Sequence, residues 1–242
     1  MTDRDQGDTN AAIWKSAEVA RTFAAQAGQR ERDRHEQLVL VARLLPFNRQ
    51  DTFTFLDLGA GTGAVTRAVL GEFPRATAIL ADFSQQMMAE GETALAAHKG
   101  RYRYVEFDML SSEWPDAVPV PLDAVVSGLS IHHLPDARKR TIFSEIRQRL
   151  KPGGWYINYD PVRAPDASIE AVWQRVNDVY DPDGPYKRTH MSPQEVARHE
   201  NHVRYMIPLA PQLEWLRDAG FTNIDVFWKR LDWVIYGGSN PG

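Results

Sequence analysis

The residues best suited to chemistry stand at the ends of short apolar runs. Asp57 sits in the run Phe53-Thr-Phe-Leu-Asp-Leu58, just before Gly59-Ala60-Gly61-Thr62-Gly63. Asp82 closes a second run, Ala76 to Leu80, about 20 residues past the glycines, where an acid typically accepts both ribose hydroxyls of an adenosine. Asp108, followed by Met109, closes a third, Tyr102 to Phe107. An acid there accepts from an adenine amino group while the methionine packs on the ring. His132 and His133 follow a fourth run, Asp123 to Ser127, and Asp160 closes a fifth, Trp155 to Tyr159. A neutral imidazole is the side chain best suited to take a proton near neutral pH, which makes His133 the first candidate base. Asp160 would orient a bound acceptor.

Each assignment has a plainer alternative. Asp82 would be a helix cap, although Ser84 is better placed for that. Asp108 would turn the chain into Ser111-Ser112, His133 would pack under the next helix, and Asp160 would cap a turn. A metal site made of His132, His133 and Asp160 is not expected, because neighbouring side chains on an extended chain point apart.

These groups can converge only if the runs are strands of one sheet. The first run reads as a strand buried on both faces. After the glycines, Ala64-Val-Thr-Arg-Ala-Val-Leu70 begins a helical pattern. Glycine lets the chain turn sharply and a ligand lie against the backbone, and the new helix aims its free N–H groups at that spot. The spacing Gly-x-Gly-x-Gly differs from the Gly-x-Gly-x-x-Gly of dinucleotide sites, so binding of NAD or NADP is not expected. Gln85 to Ala97 and Ala137 to Leu150 read as helices between the later strands, and Lys151-Pro-Gly-Gly154 as a turn. Strands alternating with helices over residues 53–160 predict a parallel sheet covered on both faces.

Upstream, residues 11–26 form a helical pattern with Ile13, Trp14, Ala17, Ala20, Phe23 and Ala24 on one face. A second helix is expected from Arg30 to Leu45. Its start, Arg30-Glu-Arg-Asp-Arg34, is a solvated face or supplies an arginine to the carboxylate of a bound amino acid. Downstream, Glu170 to Tyr180 is amphipathic, and Ser192-Pro-Gln-Glu195 is a capping box that opens another helix. Residues 181–191 show no periodicity. They are expected to form a mobile lid with Tyr186, Lys187, Arg188 and His190, and the two cations there suggest an anionic acceptor or a carboxylate on the bound donor. Pro211 to Ala219 reads as a helix ended by Gly220, and Lys229-Arg230 as the turn of a closing hairpin.

The 242 residues suffice for one sizeable domain, read as N-terminal helices (1–50), a core (51–160), a helical cap (161–211) and a C-terminal helix with a hairpin (212–242). The net charge of −4 argues against a broad electrostatic grip on nucleic acid. There is no cysteine, which excludes disulfides and thiolate chemistry and suits a reducing cytoplasm. The polar start is unlike a secretory signal, and no apolar run approaches the roughly 20 residues of a membrane span. A cytoplasmic monomer or homodimer is expected.

Leu56-Asp-Leu-Gly-Ala-Gly-Thr-Gly63 resembles the first motif of the S-adenosylmethionine-dependent methyltransferases with a Rossmann-like fold. The resemblance continues through Asp82, Asp108-Met109, the run Asp123 to Leu134, Leu150-Lys-Pro-Gly-Gly154 and Ala219-Gly-Phe221. It implies an α/β, doubly wound, seven-stranded sheet with the last strand antiparallel. It also implies S-adenosyl-L-methionine as methyl donor, S-adenosyl-L-homocysteine as product, and a small-molecule acceptor. The donor would be held by Asp57, Gly59, Ala60, Gly61, Gly63, Asp82, Phe83, Met87, Asp108, Met109, Ser127 and Leu129, with His133 and Asp160 as catalytic groups and Tyr186, Arg188 and His190 in the lid. The C-terminal half is also similar to the bacterial enzyme that makes carboxy-S-adenosylmethionine for wobble-uridine modification of tRNA. That family holds the extra carboxylate with an arginine in the helical segment, where the nearest basic residue here is Arg198. A non-catalytic cofactor-binding module is the third reading.

Overall fold

The structure, a computed structural model, describes residues 34–241. The expected helix over 11–26 and the stretch from Arg30 to Asp33 lie outside those residues. Helix α1, His35–Arg43, is the described part of the second expected helix, and it buries Leu38, Val41 and Ala42.

Seven strands form one sheet: β1 (Thr54–Leu58), β2 (Thr77–Asp82), β3 (Tyr102–Glu106), β4 (Leu122–Gly128), β5 (Leu150–Pro161), β6 (Thr222–Arg230) and β7 (Trp233–Ser239). Their order is β3-β2-β1-β4-β5-β7-β6. Strands β1 to β5 pair in parallel, and β7 runs antiparallel to both β5 and β6. The strand order reverses between β1 and β4, which opens a crevice at their carboxyl ends.

Alternation along each strand sends side chains to two cores. Leu56, Leu58, Val125 and Tyr156 face one side, where they meet Ile142, Phe143 and Ile146 of α4 (Asp136–Arg149) and Leu216 of a later helix, Leu209–Asp218. Phe55, Val126 and Ile157 face the other, against α1 and Val65, Val69 and Leu70 of α2 (Ala64–Glu72). Full burial of each such side chain stabilises the fold by about 1.5–3 kcal/mol. Helix α3, Gln85–Ala94, lies in the crossover from β2 to β3 and is capped by Ser84, whose side chain accepts from Met87 N.

Two turns differ from expectation. The Lys-Pro-Gly-Gly segment is a bulge inside the 12-residue β5, not a turn before it: Leu122 pairs with Leu150, and the next pair is Ala124 with Trp155. Gly153 sits at φ +79°, and a Cβ on Gly154 would lie 2.9 Å from the Lys151 carbonyl oxygen. The closing hairpin turns at Leu231-Asp232, with Leu231 at φ +52°. Lys229 and Arg230 instead pair with Val234 and Trp233 in the sheet.

Between β5 and β6 lie four helices, the first three within the expected cap, 161–211. Helices α5 (Ala167–Tyr180), α6 (Gly184–Thr189), α7 (Pro193–Val203) and α8 (Leu209–Asp218) follow one another. Lys229 Nζ lies 4.4 Å from the ring centroid of Trp173 on α5, and the Arg230 guanidinium 4.6 Å from that of Tyr180. These cations therefore link the edge strand to α5. The capping box at Ser192 and Glu195 forms as expected. Among the described residues no helix is long and apolar enough to cross a membrane.

The cap is also tied to α4. Lys139 is fully buried; its ammonium donates to Asp136 Oδ1 at 3.3 Å and to the Tyr205 carbonyl just past α7. Hydrogen bonds to a charged group contribute about 1.5–3 kcal/mol each. Lys139→Ala should therefore lower stability in urea by about that amount and speed amide exchange over residues 200–207. Unchanged exchange in that segment would show that the tether is idle.

Candidate functional site

The glycine turn is the most constrained part of the crevice. Gly59, Gly61 and Gly63 adopt φ +70°, +53° and +78°, a region that side chains other than glycine's seldom enter. Space is limiting as well. A Cβ on Gly59 would lie 2.4 Å from Ser130 Cβ, and one on Gly63 2.7 Å from Leu95 Cδ1. Neighbouring strands pin the turn. Gly59 N and Ala60 N donate to the Ala81 carbonyl at 2.8 and 3.1 Å. Gly61 N donates to Asp82 Oδ2 at 2.7 Å, Ser84 N donates to Asp82 Oδ1 at 2.8 Å, and the Tyr104 hydroxyl donates to the Gly61 carbonyl at 3.0 Å. Tyr104 passes where a Cβ on Gly91 would stand, 1.8 Å from its oxygen. These turn contacts of Asp82 and Tyr104 were not legible in the sequence, where Asp82 is expected on a ribose and Tyr104 is not singled out.

Asp57 lies beneath the turn, 1% exposed. Its Oδ2 accepts from Thr66 N at 3.0 Å and Thr66 Oγ1 at 2.7 Å, while Oδ1 is buried with no hydrogen-bond partner among the described residues. Burial pushes its pKa up to about 6, and the Asp82 charge adds to this against the lowering effect of the Thr66 bonds. Asp82 is likewise raised by burial.

The other expected donor contacts are placed unevenly. Met87 and Met109 are both buried and flank the turn, their Cε atoms 3.2 and 3.1 Å from where a Cβ on Gly61 and on Gly59 would be. Phe83 is half-buried. Asp108 is exposed, and its Oδ1 accepts from Leu110 N at 2.9 Å, the turn-forming alternative. Ser127 also has a structural role. It is fully buried and its hydroxyl donates to the Leu58 carbonyl at 2.8 Å, so the side chain ties β4 to β1. Leu129 holds φ +62° and donates its N–H to the Tyr159 carbonyl at 2.9 Å. Left-handed backbone at a branched residue is strained, and such strain gathers at functional sites.

At the mouth of β4 the chain makes a 3₁₀ turn, Ile131–His133, and is not extended. The ground for keeping the two imidazoles apart is thereby removed: their ring centroids are 4.0 Å apart. His132 is buried, with Nδ1 2.8 Å from Asp160 Oδ1 and its backbone N donating to Asp160 Oδ2 at 3.1 Å. Asn158 Nδ2 donates to the same Oδ2 at 3.1 Å. Asp160 thus orients His132 and is itself nine-tenths or more enclosed. A third imidazole enters from the cap. His202, in the last turn of α7, has Nδ1 3.4 Å from His132 Nε2. Burial first, then the neighbouring imidazoles, holds His133 well below its ordinary pKa and brings His202 down to about 4, so both are neutral near pH 7. His202 was missed because its only signal was a histidine late in a polar helix.

The expected lid is ordered otherwise. Residues Gly184–Thr189 form helix α6, where no regular element was expected. Lys187 pairs with Asp181 at 3.0 Å and Arg188 with Asp178 at 2.7 Å, so these cations are neutralised within the cap and do not argue for an anionic acceptor. Tyr186 and His190 stack on each other at 3.8 Å, and both are exposed. Arg34 lies with its guanidinium 4.9 Å from the ring centroid of Trp233. Arg198, one turn before His202, is exposed.

Comparison with known proteins agrees with this architecture. Residues 55–154 match the family model described as a methyltransferase domain. That segment carries the glycine turn, strands β1 to β4 and the start of β5. Over 100 residues the chain is 32% identical to the release factor glutamine methyltransferase of Chlorobaculum tepidum, covering 40% of this chain and 33% of that protein. Over 182 residues it is 26% identical to the carboxy-S-adenosyl-L-methionine synthase of Chromohalobacter salexigens, covering 74% and 65%. The chain thus spans about a third to two thirds of these relatives' lengths. Among solved structures, human N-acetylserotonin methyltransferase in complex with SAM superposes with TM-score 0.63 at 13% identity, over 96% of this chain and 58% of that one.

The buried Asp57 has a consequence for stability. Its folded pKa, about 6, exceeds its ordinary 3.8, so between those values the folded chain binds more protons than the unfolded one. Stability from this group therefore falls as pH rises through that window and stays low above it. Asp57→Asn keeps an acceptor for Thr66 and removes the charge. It should be more stable than the natural chain at neutral pH by on the order of 1–3 kcal/mol, and lose that advantage near pH 4. Urea denaturation showing the same gap at both pH values would contradict the burial argument.

Proposed function

We propose that the chain is an S-adenosylmethionine-dependent methyltransferase that transfers a methyl group to a small-molecule acceptor. The observation that carries the reading is the unpartnered, buried Asp57 Oδ1 under three left-handed glycines. A carboxylate oxygen with no partner fits an ammonium group, which the amino-acid part of the donor carries, and the glycines let a ligand lie against the backbone. The remaining lone pairs of Asp82 fit ribose hydroxyls, and Met109 an adenine face, with Asp108 at its edge. When bound, the donor's sulfonium makes its methyl electrophilic.

The protein's share of the work is alignment, exclusion of water and handling of a proton. Helix α7 covers the mouth of β4, and Asp160 holds His132 in one orientation. His133, more exposed than His132 and neutral, is in the protonation state that takes a proton from the acceptor. Its lowered pKa makes it a weak base, so it suits an acceptor that is already acidic.

A second reading, carboxy transfer onto the donor, is supported by the 74% of this chain that aligns with the Chromohalobacter salexigens enzyme. Exposed Arg198 gives it no partner for a carboxylate inside the crevice. Incubation of purified protein with methyl-labelled donor and a small-molecule cell extract separates the two. Methyl transfer predicts labelled small molecules, and carboxy transfer predicts a donor nucleoside carrying an added carboxylate. In the same system Asp82→Ala should weaken S-adenosylhomocysteine binding by about 1.5–3 kcal/mol in calorimetry. Neither labelled product, with unchanged affinity in the variant, would overturn the assignment.

A further inference from the structure

The three imidazoles have a geometry that proton transfer does not require. Among the described residues His132, His133 and His202 are the group whose ligand atoms all lie within 4.8 Å of one another. Tetrahedral zinc with Zn–N bonds of about 2.0–2.1 Å places its nitrogens roughly 3.3–3.4 Å apart. His132 Nε2 and His202 Nδ1 already stand 3.4 Å apart, and one ligand atom from each of the three rings lies within 4.8 Å of the others.

Atom roles agree with coordination. Asp160 Oδ1 binds His132 Nδ1 at 2.8 Å, which directs the proton to that nitrogen and leaves the Nε2 lone pair facing His202. A metal-bound histidine usually donates its other N–H to a carboxylate in this way, which fixes the ring and makes it more basic. Asp160 is fixed in turn by the His132 backbone N–H and by Asn158, whose Nδ2 also lies 3.0 Å from the Tyr236 hydroxyl; that hydroxyl donates to Gln212 Oε1 at 2.7 Å. The chain from His132 to α8 therefore holds one ligand rigidly, as a preformed site needs. The donor set contains no thiolate and no coordinating carboxylate, and imidazole alone suits Zn²⁺, Ni²⁺, Co²⁺ or Fe²⁺ rather than Mg²⁺ or Ca²⁺.

We propose that His132, His133 and His202 bind one divalent transition-metal ion of the zinc type, with Asp160 as the positioning carboxylate. Three protein ligands leave a coordination position for an oxygen or nitrogen of a bound molecule, the pattern of catalytic rather than structural sites. Two ligands come from the β4 mouth and the third from α7, so the ion clamps the cap onto the sheet. The use of the ion rests on the methyl-transfer reading: its charge lowers the proton affinity of a coordinated acceptor, whose proton leaves to solvent before the methyl passes to it and the donor's sulfur departs as a neutral thioether, and His133 serves as ligand instead of base. The binding itself does not rest on that reading, and it is measured without donor or acceptor.

The test uses the untagged full chain, stripped of metal by chelator and dialysed. Co²⁺ is titrated and followed by its visible absorption, then displaced by Zn²⁺. The expected result is one ion per chain, the intense band of tetrahedral cobalt, and slower amide exchange across α7 when Zn²⁺ is present. Asp160→Asn should weaken binding about 10–100-fold, the usual effect of losing the carboxylate behind a ligating histidine. His202→Ala, altered on a cap helix away from the sheet core, should abolish the band while circular dichroism stays unchanged, and His133→Ala serves if that variant fails to fold. No stoichiometric ion would overturn the proposal. So would affinity in His202→Ala and His133→Ala equal to that of the natural chain, which would put the ion elsewhere. Either result leaves the methyl-transfer reading standing, because labelled-product formation is scored separately.

Discussion

The hydrogen bonds from Gly61 N and Ser84 N to the two oxygens of Asp82 hold the crevice in shape. They join the end of β2 to a turn whose three glycines all sit in left-handed backbone, a conformation with no local preference strong enough to persist alone. With the turn fixed, α2 starts where it does, Asp57 is buried beneath Thr66, and Met87 and Met109 close the sides. Asp82 is thus a structural anchor before any ligand arrives. The turn's shape is therefore set on folding.

The crevice concentrates negative charge at one end and neutral imidazole at the other. Asp57 keeps an unpartnered oxygen under the glycines, an arrangement that destabilises the free chain at neutral pH and would be relieved by a cation. At the β4 mouth, burial keeps His133 and His202 uncharged, while the Asp160 carboxylate steadies His132. Local instability accepted at two points of one cleft is the usual mark of a working site. The cap completes it: Lys139 grips the chain just after α7, and that grip places His202 over the strand ends.

Much of this was legible in the sequence because it is local. The glycine turn, the acid at the end of β2, the Ser192 capping box and the strand–helix alternation depend on residues within a few turns of one another. The sheet followed from that alternation together with the resemblance. What was not legible is what joins distant positions or depends on exact backbone geometry. His132 and His202 are 70 residues apart. The 3₁₀ turn at Ile131–His133 brought together rings that an extended chain would have separated, and a bulge hid the Lys151-Pro-Gly-Gly154 signal inside β5. Lys187 and Arg188 read as free cations until α6 folded them back onto Asp181 and Asp178. The bond from the Ser127 hydroxyl to the Leu58 carbonyl likewise joins positions 69 residues apart.

The central claim is that one cleft holds the methyl donor between the acidic turn and the imidazole cluster. A crystal structure of the chain with S-adenosylhomocysteine measures this directly. The account predicts the ligand's ammonium on Asp57 Oδ1, its ribose hydroxyls on Asp82, its base beside Met109, and its sulfur on the side of His132, His133 and His202. A ligand bound outside the cleft would contradict it, as would one whose sulfur faces away from the histidines.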